Sequence, residues 1–156
     1  MSRCRRALSG RIELDPMSST EFNLVVGAER IYTEQDDCFA HDWVANTLYI
    51  NPAGGFVVQA WRKLVDQYTR GNVRRAIWTG FSVEQLCLLA DELVHPLDYS
   101  SVIARKRISF VRHDGFIGSP SHGNYAVGLG VDHRVFVEAF QDAGRIGAGH
   151  LVTGYE

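Results

Sequence analysis

The sequence predicts an α/β fold, with one mainly parallel sheet and a late antiparallel strand pair. Three observations carry this. Short apolar runs alternate with a segment of helical period between Phe56 and Tyr68. Breaker pairs fall at Asp15-Pro16, Asn51-Pro52 and Gly71-Asn72, where elements should end. Two strand-like runs late in the chain, "SVIARKRISFV" and "YAVGLGV", are joined by a turn-rich link containing Gly115, Gly118, Ser119 and Pro120.

The elements follow in order. "MSRCRRALSG" is short and basic, and "RIELDP" predicts a brief strand ending at Asp15-Pro16. "GAERIYT" predicts a second strand, and "EQDDCFAHDW" an acidic loop. "NTLYINP" predicts a third strand, with Leu48 and Ile50 flanking Tyr49. Phe56, Val57, Ala60, Trp61, Leu64, Val65 and Tyr68 mark one apolar face of a helix that ends at Gly71-Asn72. "VRRAIWTGF" predicts a strand. Ser82 and Gln85 have capping-box spacing and predict a helix from near Val83, with His95-Pro96 beyond its end. "DHRVFVEAFQDAG" predicts a short helix capped by Asp132 and stopped near Gly144. The tail "RIGAGHLVTGYE" has no assignable pattern.

With 156 residues, 46% of them hydrophobic, the chain suits a single domain with a sizeable core. Its net charge of -2 gives no global attraction to nucleic acid, so such contact requires a local patch. Cys4, Cys38 and Cys87 are odd in number and lack metal or redox spacing, which fits a reducing cytoplasmic setting. No apolar run reaches membrane-spanning length, and no histidine motif indicates a metal.

Five constellations could carry chemistry. Asn51-Pro52-Ala53-Gly54 follows a strand: the Asn51 oxygen can accept from an amine, and Pro52 fixes the backbone beside it. The same residues could be a plain strand-to-helix turn. Asp15-Pro16 with Ser18 and Ser19 could hold an ammonium group, or the Asp/Ser run could cap a helix. Asp36, Asp37 and Asp42 could contact an adenosine, or form a solvated loop. On a strand, Arg105 and Arg107 would share one face and suit phosphate, with Lys106 on the other; a charged edge strand is the alternative. His122 in "GSPSHGNYAVG" could be a general base, or a hydrogen-bonding loop residue.

The run "RIELDPMSSTEFNLVVGAERIYTEQDDCFAHDW...LYINPAGG" resembles the phage-type DNA N-6-adenine methyltransferase family, with its LDP-A-S-S, V-G-A-x-x-(Y/F)-Y-T, D-D-G-L and N-P-P-G-G order. "IWTGFSVEQLCLL", "RKRISFV" and "SPSHGNYAVGLG" are also similar to its members. The likeness covers roughly 11–130 of a single methyltransferase-like domain, with 131–156 a C-terminal helix and tail. It implies a Rossmann-like sheet that binds S-adenosylmethionine through Asp15, Pro16, Ser18 and Asp37. Asn51 and Pro52 take the catalytic N-P-P-(Y/G) positions. The implied acceptor is the N-6 amine of adenine in DNA, extruded from the duplex at a cost of about a few kcal/mol. From strand alternation, Arg105 and Arg107 are the expected DNA contacts, and aromatic chemistry alone offers Trp61 or Phe56 as the ring that stacks on the base. The implied setting is the bacterial cytoplasm, from a phage or prophage gene, with no metal and no membrane.

Three departures modify the expectation. Ala53 replaces the second proline, and Cys38 replaces the glycine of D-D-G-L. The family's earlier E-W-Y-T-P-like segment has no counterpart before "MSRCRRALSG". An N-terminally truncated or degenerate member is therefore expected, and a catalytically impaired DNA-binding remnant or fragment is the alternative.

Overall fold

Period-two alternation sorts the strand side chains onto the two faces of one sheet. The computed structural model describes residues 1–86, 89, 98–106 and 122–150. Its strands are Leu14–Asp15 (β1), Arg30–Ile31 (β2), Ala45–Ile50 (β3), Val73–Gly80 (β4), Asp98–Ala104 (β5), Tyr125–Leu129 (β6) and Gly144–His150 (β7). They join in the order β2-β1-β3-β4-β6-β5-β7. The bounded helices are Ser2–Ala7 (α1), Thr20–Val26 (α2), Val57–Thr69 (α3) and His133–Phe140 (α4).

The strands β2, β1, β3 and β4 pair in parallel. Strand β6 runs antiparallel to both β4 and β5, and β7 runs antiparallel to β5. Strands β1 to β5 therefore point one way, and β6 and β7 the other. The expected late antiparallel pair is β5 with β6, and two further antiparallel pairings, β4 with β6 and β5 with β7, extend it. One reason is that β6 lies between two like-directed strands and meets an antiparallel neighbour on each side. The other is β7, which arises from the tail that had no readable pattern. Gly144, Gly147 and Gly149 weaken its strand signal, yet it pairs along β5 from Ala104↔Gly144 to Asp98↔His150.

The alternation places Leu48, Ile50, Ala76, Trp78, Val127 and Leu129 on one face, against Val57, Ala60, Trp61 and Leu64 of α3. The α3 apolar positions are those that the sequence marked, except that Phe56 is exposed and lies in a 3-10 turn, Gly54–Phe56, ahead of the helix. Tyr49, Ile77 and Ala126 point to the other face, toward Cys4 and Ala7 of α1 and Phe136 and Phe140 of α4. Helices thus cover both sides, as parallel strands require.

Local signals set the helix ends. Asp132 caps α4 by accepting from Arg134 N at 2.9 Å and Val135 N at 3.3 Å, as expected. Ser19 caps α2 by accepting from Phe22 N at 3.1 Å, and Gly27 closes that helix with φ 60°. The Ser82/Gln85 capping box is corrected. The Ser82 hydroxyl donates to Glu84, and the Gln85 side chain accepts from the buried Tyr125 hydroxyl at 3.2 Å. Local Glu84 takes the Ser82 hydroxyl and distant Tyr125 takes the Gln85 side chain, although Gln85, Leu86 and Leu89 are helical. Cys87, His95-Pro96, Arg107 and the Gly115–Pro120 link lie outside the described residues. Among the described residues no helix is long and apolar enough to cross a membrane.

Candidate functional site

Ligands of open α/β sheets bind beyond the carboxyl ends of strands, where the strand order reverses. Here β1 leads to β2 on one side, and β3 then joins β1 on the other. The reversal lies between β1 and β3. Asp15 ends β1, and Asn51 follows β3. The fold thus brings these two predicted residues to one edge, on adjacent strands.

Asp15 is only 3% exposed. Burial pushes its carboxyl up to about 6, against the pull of the Met17 N–H and the Ser18 hydroxyl. Met17 N donates to Asp15 Oδ1 at 3.3 Å. Ser18 N donates to Tyr32 O at 2.9 Å, and Tyr32 N to Asp15 O at 3.2 Å, so the ends of β1 and β2 are locked together. The Ser18 hydroxyl is near enough to influence the carboxyl, yet its buried Oγ has no partner within hydrogen-bonding geometry. Of the two readings of this run, Ser19 acts as the cap and Asp15 does not. Pro16 is buried beside it.

After β3, Asn51 is half-buried and Pro52 buried, whereas Ala53, Gly54 and Gly55 are exposed. Ala53 has φ -62° and ψ 144°, the backbone that a proline would impose. Its carbonyl accepts from Phe56 N at 2.9 Å, forming the turn into α3. The strands below the turn are tied by side chains: the Tyr49 hydroxyl of β3 and the Thr79 hydroxyl of β4 are 3.0 Å apart, and Trp78 Nε1 of β4 donates to Tyr125 Oη of β6 at 3.0 Å. Gly80 leaves room for that tyrosine, because a β-carbon there would overlap its ring.

The acidic loop is built rather than loose. Thr33 N and its hydroxyl both donate to Asp36 Oδ2 at 2.7 Å. Trp43 Nε1 donates to Cys38 O at 2.8 Å, and Lys63 Nζ to Phe39 O at 3.2 Å. Asp37 carries the left-handed backbone, with φ 42°, and is exposed. The left-handed conformation of this loop falls on Asp37, a residue type that tolerates it, and not on the half-buried Cys38. Asp42 is engaged elsewhere, 3.3 Å from Gln67 Nε2 and 3.6 Å from Arg70.

Trp61 cannot stack on a bound base. It is 2% exposed and packs edge-on against Trp78, with ring centroids 5.1 Å apart. Phe56 remains available. Phe81, which sequence reasoning passed over, lies at the end of β4 with His122 edge-on to it at 6.2 Å. The signal for Phe81 was its place one residue past a parallel strand.

The cationic run also changes. Strand β5 ends at Ala104 and Arg105 lies in a bend, while Arg107, its expected partner on the strand face, lies outside the described residues. Arg105 N donates to Ala143 O at 2.9 Å, and Ile103 pairs with Arg145. Arg105, Lys106 and Arg145 are exposed at the end of β5. They occupy the same edge as Asn51, because β5 points the same way as β3. Among the described residues none of the three forms an ion pair.

A shallow polar groove lies at the opposite edge, lined by Arg11, Glu13, Glu29, Arg30 and Asn46. Its groups satisfy one another. Arg11 pairs with Glu29, Arg30 donates to Val44 O, and Asn46 N donates to Glu13 Oε2 at 2.8 Å. Among the described residues no group of three or more His, Cys, Asp or Glu could hold a metal ion. No protein-family model matches the chain, and none of the curated proteins matches it.

Proposed function

We propose that the chain is a methyltransferase domain that transfers a methyl group from S-adenosylmethionine to the N-6 amine of adenine in DNA. One observation supports this most: Asp15 and Asn51-Pro52 flank the strand-order reversal, at the carboxyl ends of adjacent parallel strands. S-adenosylmethionine, when bound, supplies a methyl group on a sulfonium. The residues present fit that group. The Asp15 carboxylate and the unpartnered Ser18 hydroxyl would receive its ammonium end, and Asp37 the adenosine side.

Asn51 does the work on the acceptor. Its side-chain oxygen takes a hydrogen bond from the amine, which turns the nitrogen lone pair outward. Buried Pro52 and the extended Ala53 hold that oxygen in place. Ala53 has the proline-like φ already, so the turn keeps its geometry without the second ring. Arg105, Lys106 and Arg145 would neutralise phosphates beside the extruded base. Arg107 belongs to this patch by sequence only.

The test is labelled methyl incorporation into adenine-containing DNA. Wild type should label N-6 of adenine, and Asn51→Ala should not. DNA binding by wild type without methyl transfer would replace this reading with that of a binding protein.

A further inference from the structure

The sheet ends in β2 on one side and in β7 on the other. These two edges differ. Strand β2 spans two residues, Arg30–Ile31, whereas β7 spans seven, Gly144–His150. Short length, prolines, bulges and charges usually protect a sheet edge from further pairing. Strand β7 has little of this. It contains no proline, and its register against β5 runs unbroken from Ala104↔Gly144 to Asp98↔His150. Arg145 is the only Lys, Arg, Asp or Glu within it.

Two bonds fix the direction of its backbone groups. Arg105 N donates to Ala143 O at 2.9 Å, toward β7, and Ala104 N donates to Asn124 O at 2.9 Å, toward β6. Antiparallel neighbours alternate between hydrogen-bonded and non-hydrogen-bonded pairs. Arg145, Gly147 and Gly149 therefore direct their backbone groups to β5, opposite Ile103, Ser101 and Tyr99. Gly144, Ile146, Ala148 and His150 turn theirs outward. Among the described residues no strand takes them.

This outward row is self-complementary. If two copies of β7 pair antiparallel about Gly147, Ile146 falls opposite Ala148 and Gly144 opposite His150. Every outward N–H then meets an outward carbonyl. Arg145 of each copy falls opposite Gly149, whereas parallel in-register pairing would set two Arg145 side by side, which is unfavourable. Gly147 lies on the two-fold axis as a non-hydrogen-bonded pair, where α-carbons approach to about 4.5 Å. It has no side chain to obstruct that approach, and Gly147 and Ala148 are both exposed. The larger Ile146 and Arg145 each meet a small residue, so the two edges close without a clash.

We infer that β7 is a dimerisation edge, on which a second copy of this chain adds its own β7, antiparallel and centred on Gly147. The sheet then continues from one copy into the other. Such pairing is independent of the methyltransferase reading. It uses the same surface on both copies and so closes at two. One strand pair is smaller than a standard interface, so dissociation at about 10–100 µM is expected.

Sedimentation velocity of the full chain over a concentration series tests this. Wild type should pass from monomer to dimer and no further. Ala148→Pro removes an outward N–H and no bond to β5, and should weaken the dimer at least about tenfold. A β-carbon on Gly147 would meet only Ser101 Oγ, at an ordinary 3.5 Å, so a side chain is admitted there. Gly147→Lys and Gly147→Glu each set like charges across the axis and should each weaken the dimer by about fivefold. Mixing these two variants should restore wild-type affinity, which no loss of folding would allow. A wild type that stays monomeric up to its solubility limit would overturn the proposal and leave the edge to another part of the same chain. Dimers undiminished by Ala148→Pro, or charge variants that associate no better mixed than apart, would overturn it as well.

Discussion

At the amino ends of β1 to β3, charged side chains are abundant and partnered: Arg11 with Glu29, Glu13 with Asn46, and Arg30 with the Val44 carbonyl. At the carboxyl ends of the same strands some polar groups are less fully partnered. Asp15 is buried with a carboxyl raised to about 6, Ser18 Oγ has no partner, and Asp37 holds a left-handed backbone. The same strands build both edges, so the contrast is not one of composition. An edge that satisfies itself contributes shape and solubility. An edge that buries an acid and exposes phenylalanines stores interactions for something else. The groove at the amino edge is therefore the less informative of the two.

The largest expected effect comes from Asn51→Ala. Removing the amide oxygen should lower methyl transfer by at least about a hundredfold, the scale of losing one preorganised hydrogen-bonding group. Thermal stability should hardly move, because the site is half-buried and follows the end of its strand. Glu29→Gln at the other edge should leave transfer unchanged. Equal losses from the two substitutions would erase the contrast.

Asp15 gives the next effect, and it depends on pH. The folded carboxyl titrates at about 6, against 3.8 for the ordinary group. Between those values the folded chain holds a proton that the unfolded chain releases. Stability is thus fully present below about pH 4, falls as pH rises toward 6, and is flat above. The loss amounts to about 2–3 kcal/mol. Asp15→Asn, neutral at every pH, should remove that slope and be the more stable protein at pH 7.5, as read by urea melts across pH. The same substitution should weaken S-adenosylmethionine binding. A variant less stable than wild type at pH 7.5 would show that the carboxylate is needed for the fold.

A smaller effect is expected from Arg105→Ala combined with Arg145→Ala. DNA affinity should fall across sequences, and the slope of log affinity against log salt should shrink by about two. An unchanged slope would remove these residues from the DNA contact. The smallest effect is that of Ala53→Pro. Its φ of -62° already suits proline, so the substitution should stabilise by about 0.4–1 kcal/mol and change transfer by less than about tenfold. A large loss would mean that the Ala53 N–H has a role.

Much of the carboxyl edge was legible in the sequence because breaker chemistry writes it locally. Asp-Pro and Asn-Pro mark strand ends, and two parallel strands that end together must place Asp15 and Asn51 on one edge. The α3 face was legible for a similar reason, since its period is local. What the sequence hid depends on partners far along the chain. Trp61 looks like an available ring until Trp78 packs on it. Gln85 looks like a capping residue until Tyr125 reaches it. Strand β7 has too many glycines to declare itself and becomes a strand only because β5 offers an edge. Phe81 was missed because nothing local links it to Gly54; the contact exists only through the β3–β4 register.

The carboxyl edge between β1 and β3 is the proposed ligand site. Backbone amide shifts measured by NMR during titration with S-adenosylmethionine test it most directly. Shifts are expected at Met17, Ser18, Ser19, Tyr32, Asp37 and the Asn51–Gly55 turn, with Arg11, Glu13, Glu29 and Asn46 still. Shifts concentrated on those amino-edge residues, or none at either edge at millimolar ligand, would contradict it.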